Sequence, residues 1–174
     1  MPTVALTPQQ DGFYRGWASI VGGSTLAYQA VSDGSDATYL VLPKLSGALG
    51  IVSFPIFLMA GGLTPTSIQI IVRARLDSGA APTMQVGFTR GGLVAFDAVV
   101  DALTGSILNF THTFPTDILS GGAWMETDPV GLECCIQREA ITLGAARIIQ
   151  VSGSMIYSQD RAWRGTQAHS AQLE

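Results

Sequence analysis

Between residues 67 and 76 every second position is apolar: Ile68, Ile70, Val72, Ala74 and Leu76 form one face, while Gln69, Arg73 and Arg75 stand on the other. A repeat of two is the signature of a strand with one buried face, because successive strand side chains point to opposite sides. Residues 83–90 repeat it, with Met84, Val86 and Phe88 inward and Gln85 and Thr89 outward. The turn signal Asp77-Ser78-Gly79-Ala80-Ala81-Pro82 separates the two segments, so the pair reads as antiparallel neighbours. Arg90-Gly91-Gly92 then predicts a tight turn into a third strand over 93–100, since glycine takes the positive φ that hairpin turns demand.

The pattern continues along the chain. Residues 107–114 place Leu108, Phe110 and Phe114 on one face, and residues 147–157 place Ile149, Val151, Gly153, Met155 and Tyr157 together. The first third is less regular, with strands expected over 13–21, 25–31, 37–42 and 50–59. Pro55 lies inside the last of these and cannot donate to a ladder, which makes it an edge or bulged strand. Only 115–139 resists the description, with one helical turn expected over 116–119 and core contributions from Trp124 and Leu132. Eight or nine short strands without intervening helices predict an all-β, antiparallel sandwich or barrel. It would occupy residues 12–157, with residues 1–11 and 158–174 as polar, unpatterned arms.

Composition narrows the partners. Hydrophobic residues make up 47% of the 174 residues and charged residues 13%, about half the usual share of charge in a soluble domain. So little charge leaves neutral and apolar surface, which predicts contact with other copies in an oligomer or lattice. A net charge of −4 and a single lysine, Lys44, leave no basic stripe for a phosphate backbone, so direct nucleic-acid binding is not expected. Arg161 and Arg164 flank Trp163 in the C-terminal segment and are candidate assembly contacts. No apolar run reaches the roughly 18 residues of a membrane span, and the N-terminus lacks the build of a secretion signal. Cys134 and Cys135 are adjacent; a vicinal disulfide is strained, so two free thiols are expected.

Catalytic signatures are missing. His112 and His169 are the two histidines, and His112 falls on the Leu108, Phe110, Phe114 face as an interior side chain. The chain holds no G-x-S-x-G, no phosphate-binding G-x-x-x-x-G-K-[ST] and no H-E-x-x-H. An enzyme on this scaffold would rest on His112 and Asp97 or on an unmarked acidic pair; none is expected. Neither a cofactor nor a metal is expected either, because the cysteines and histidines lack zinc-ligand spacing. The polar cluster Asp33-Gly34-Ser35-Asp36-Ala37-Thr38 offers oxygen ligands to Ca²⁺, yet it also reads as a turn capped by its own Asp and Ser side chains. Aromatic residues gather near the start, at Phe13, Tyr14, Trp17, Tyr28 and Tyr39. Of these, Trp17 and Tyr28, with the later Trp124, are candidate stacking residues for a sugar; the competing reading is ordinary strand packing.

The order Trp17, Gly22-Gly23, Tyr28-Gln29-Ala30-Val31, Asp33-Gly34 and Asp36-Ala37-Thr38-Tyr39 resembles the opening of jelly-roll domains in virion proteins of tailed bacteriophages. Residues 68–75 are similar to their central strand, the stretch from Pro115 through Trp124 to the connection before their final strands, and residues 147–151 to their last strand. In many such domains the loop after Tyr28 is longer and more acidic than here, which weakens any metal site carried over from them. The resemblance implies a two-sheet jelly roll serving as a capsid decoration or tail-associated protein in the virion. Its partners would be other virion proteins and copies of itself, as a trimer or another symmetric oligomer. The alternative is a carbohydrate-binding β-sandwich that recognises a cell-surface glycan.

Overall fold

The computed structural model describes residues 2–12, 15, 17, 19–42, 50–55, 63–138 and 144–159. Among them, two antiparallel sheets enclose one core. The six-stranded sheet runs in the order β2 (Ser19–Val21), β3 (Tyr39–Leu42), β11 (Ala145–Gln159), β5 (Leu63–Ser78) and β9 (Leu108–Phe114). β1 (Thr3–Leu6) pairs with Gly153–Ile156 of β11, on the edge where β3 pairs lower down. The five-stranded sheet has the order β4 (Gly50–Pro55), β10 (Glu133–Arg138), β6 (Thr83–Arg90) and β7 (Leu93–Phe96), with β8 (Asp101–Ala102) also on β6.

The alternation sets the core. Ile68, Ile70, Val72 and Ala74 of β5 are fully buried, as are Met84, Val86 and Phe88 of β6. Each larger side chain of this kind contributes about 1.5–3 kcal/mol by leaving water. The two strands are not neighbours, however. β5 lies in one sheet and β6 in the other, so they share the core face to face. Alternation reports which side of a strand is buried, and two buried faces are satisfied equally well by opposition or by pairing. Backbone bonds from Leu103 N to Pro82 O (3.1 Å) and from Leu76 N to Thr104 O (2.7 Å) hold the crossover.

Residues 27–31, expected within a strand, are helical: α1 spans Ala27–Ser32. Ala27, Ala30 and Val31 are its buried residues, at the i, i+3, i+4 spacing of a helix face. The N-cap, Leu26, offers no side-chain cap, but Asp11 Oδ1 accepts the Tyr28 N–H at 2.8 Å and satisfies one orphan donor from far along the chain. The N-terminal segment is likewise more than an arm. Beyond β1, Gln9 N donates to Pro55 O (3.1 Å) and Gly12 N to Ser53 O (2.9 Å), so this segment covers the open edge of β4.

β10 emerges from the stretch that showed no pattern. It is flanked by β4 and β6, with Cys134, Cys135 and Ile136 all fully buried. A strand buried on both sides loses its alternation. The expected strand over 93–100 ends at Phe96, and 116–119 form a turn closed by the Asp117–Gly122 bridge. The hairpin between β6 and β7 does use Gly91 (φ 59°) and Gly92 (φ 86°). β4, which ends on Pro55, is an edge strand as its proline requires. The C-terminal segment from residue 160 lies outside the described residues.

Candidate functional site on the outer face of the six-stranded sheet

Opposite the core, register places three rows of side chains across β9, β5 and β11. The first is Thr113, Gln69 and Ser154; the second Thr111, Ile71 and Ser152; the third Asn109, Arg73 and Gln150. Their inward neighbours Ile68, Ile70, Val72, Val151 and Met155 are buried, which fixes these nine as outward-facing. Eight of the nine carry hydrogen-bonding groups. Asn109, Thr111 and Thr113 are exposed and the other six half-buried. Within the first row Gln69 Nε2 reaches Thr113 Oγ1 at 3.5 Å, a long contact that leaves both groups available.

One end of this face is charged. Arg73 Nη2 pairs with Asp36 Oδ2 at 3.0 Å. Arg147 pairs with Asp77 Oδ1 through Nη2 at 2.6 Å and lies with its Cζ 3.8 Å above the Tyr39 ring, a cation–π contact. Arg75 is the register partner of Arg147. The loop from Asp33 to Thr38 rims this end as a self-capped turn. Ser35 N donates to Asp33 Oδ1 (2.9 Å), Ala37 N to Ser35 Oγ (3.2 Å), and the Thr38 hydroxyl to Asp33 Oδ2. Its carboxylates therefore serve the turn and Arg73. Among the described residues no group of three or more His, Cys, Asp or Glu is arranged to hold a metal.

The arrangement presents amide, hydroxyl and guanidinium groups at strand spacing, about 4.8 Å apart across the sheet. Such a face can hydrogen-bond a polyhydroxylated ligand along its length. The outward residues at 69, 73 and 75 were legible from the alternation; their neighbours on β9 and β11 became part of a site only through register.

The aromatic candidates lie elsewhere. Trp124 is 5% exposed, donates Nε1–H to Phe114 O at 3.0 Å and stands edge-on to Phe88. It is a core side chain. Trp17 and Tyr28 are half-buried and pack against the core. Tyr39 is the ring that register puts on the outer face, beside Val21 of β2. Arg161, Trp163 and Arg164 lie outside the described residues. His112 is 2% exposed, and its two ring nitrogens meet Asp97 Oδ2 (2.9 Å, Nδ1) and Asp101 Oδ2 (2.7 Å, Nε2). With both nitrogens occupied, the ring has none to offer a substrate. It joins the β9 edge of one sheet to the β7–β8 edge of the other.

No family model matches the chain, and no curated protein sequence matches it. Among solved structures the chain is similar to CBM29_1, a family 29 carbohydrate-binding module from Piromyces equi. The TM-score is 0.50 at 10% identity, over 90% of this chain and 93% of that one. Other similar structures are the CBM22-1 xylan-binding domain of Paenibacillus barcinonensis Xyn10C and the CBM35 of Cellvibrio japonicus Abf62. The former has TM-score 0.47 and 11% identity over 89% and 94% of the two chains. The latter has TM-score 0.46 and 16% identity over 87% and 92%. At 10% identity the likeness to CBM29_1 shows the fold alone, a two-sheet antiparallel β-sandwich over 90% of the chain. It also corrects the resemblance to virion jelly rolls, because CBM29_1 is a carbohydrate-binding module and not a phage virion protein. The capsid-decoration and tail-associated roles, the virion location and the virion partners rested on that resemblance and fall with it.

Proposed function

We propose that this chain is a carbohydrate-binding β-sandwich module, without catalytic activity of its own, that takes a glycan on the outer face of its six-stranded sheet. The observation that carries the reading is the three-row array across β9, β5 and β11, in which eight of nine outward side chains carry hydrogen-bonding groups. The fold is that of CBM29_1 over 90% of the chain, which makes the comparison one of whole modules. Low charge suits the reading too, since neutral amides and hydroxyls match sugar hydroxyls without a large desolvation cost. The occupied ring of His112 removes the best general base the chain had to offer.

Affinity electrophoresis and calorimetry against a panel of soluble polysaccharides test the reading. The wild type should be retarded by at least one polymer, and a Gln69→Ala/Asn109→Ala double variant should bind it about tenfold more weakly, as expected for two lost hydrogen bonds. Its melting temperature should stay close to that of the wild type, because both side chains face solvent. Retardation by no polymer in the panel would remove the proposal. Self-association is a separate expectation of the low charge, read out by sedimentation velocity.

A further inference from the structure

The charged end of the face identifies the class of glycan. Arg75 and Arg147 are direct cross-strand partners, and Arg73 follows two residues along β5 on the same side. Three of the chain's nine cationic side chains thus meet on one patch of a protein whose net charge is −4. Two carboxylates answer them, Asp36 on Arg73 and Asp77 on Arg147. Arg75 has no hydrogen-bond or ion-pair partner among the described residues, and its Nε is buried and unsatisfied. Like charges placed directly opposite on a sheet are unfavourable, and a desolvated guanidinium nitrogen without an acceptor adds to that cost. An incoming anion offsets the repulsion between the two guanidinium groups.

We infer that the glycan is acidic, and that Arg75, with Arg147 beside it, receives a carboxylate or sulfate of the sugar chain while the Thr, Ser, Asn and Gln rows hold its neutral hydroxyls. This rests on the carbohydrate-binding reading of the same face. The planar guanidinium fork matches both anions, donating two parallel N–H bonds to their oxygens. The Arg147 guanidinium carbon lies 3.8 Å from the centre of the Tyr39 ring and its Nε and Nη2 both donate to Asp77 Oδ1, so one of the two cations is already held in place.

Two matched pairs of polymers separate the possible anions: polygalacturonate with its carboxyl-reduced form, and dextran sulfate with dextran. The wild type should bind the acidic member of at least one pair about tenfold more tightly than its neutral counterpart, with affinity falling as salt is raised. The pair that shows the preference tells carboxylate from sulfate. Arg75→Gln should bring the acidic member down to the affinity of its neutral counterpart, and Arg75→Lys, which keeps the charge but not the fork, should retain part of the preference. Thermal melts of both variants confirm that the fold is intact. A preference that survives in Arg75→Gln overturns the assignment of the anion to Arg75. Equal binding of charged and neutral members overturns the acidic class and leaves the carbohydrate reading standing. Failure to bind these polymers and every polysaccharide in the wider panel overturns both.

Discussion

Arg90 Nη2 lies 2.8 Å from Asp117 Oδ2, and the Asp117 side chain is wholly enclosed. The same guanidinium reaches the Asp128 carbonyl through Nη1 at 2.6 Å. One side chain from the end of β6 thereby anchors two turns of the long connection between β9 and β10. Burial alone would raise the Asp117 pKa, but the Leu119 N–H, Arg90 and the Ser120 hydroxyl outweigh it and hold the carboxyl below its ordinary value of 3.8.

A carboxylate held below its unfolded pKa stabilises the fold above that pKa, and the stabilisation is lost as pH falls through the lower native value. Asp117→Asn should therefore cost about 2 kcal/mol at pH 7. The deficit should shrink below about pH 4, where the wild type loses its advantage. Urea denaturation of both proteins from pH 7 to pH 3 measures this; parallel curves across that range would contradict it.

His112 predicts a separation of stability from binding. Its ring ties the two sheet edges through Asp97 and Asp101, on the side of β9 opposite Asn109, Thr111 and Thr113. His112→Ala removes both links and leaves two half-buried carboxylates side by side, which should cost about 3 kcal/mol. Glycan affinity, measured well below the melting temperature, should change less than about twofold. A strong loss of affinity in a folded variant would place His112 in the site.

Both cysteines should be inert in the native state. Burial pushes the Cys134 thiol up to about 12. Cys135 is raised further, by burial first and then by Cys134 and Glu133. Thiolate is therefore scarce at pH 8, and Ellman's reagent should titrate two thiols only after unfolding. Rapid reaction of either one in the folded protein would show that the strand is open to solvent.

The parts of the fold that the sequence showed are those where one face is buried and the other wet. Residues 67–76 and 83–90 gave their inward sets correctly, and Gly91-Gly92 gave its hairpin. Their sheet membership was hidden, because period-two alternation is the same for a paired strand and an opposed one. β10 was hidden for a different reason: Cys134, Cys135 and Ile136 are buried without regard to side, and a run without alternation reads as no strand. α1 was misread because its first-turn donor is met by Asp11, far outside the local window. The same locality explains the site. The rings Trp17, Tyr28 and Trp124 are the strongest single-residue signals for sugar stacking. The proposed face is made of Thr, Ser, Gln and Asn, whose meaning appears only when the register of three strands sets them in rows.

Backbone amide shift mapping by NMR shows whether this face binds a glycan. On titration with the polysaccharide fragment that the panel selects, the largest shifts should fall on Gln69, Ile71, Arg73, Asn109, Thr111, Ser152 and Ser154. Gln85, Thr89 and Gln137, on the outer side of the five-stranded sheet, should stay unperturbed. Shifts confined to that second sheet, with the first left unchanged, would contradict the account.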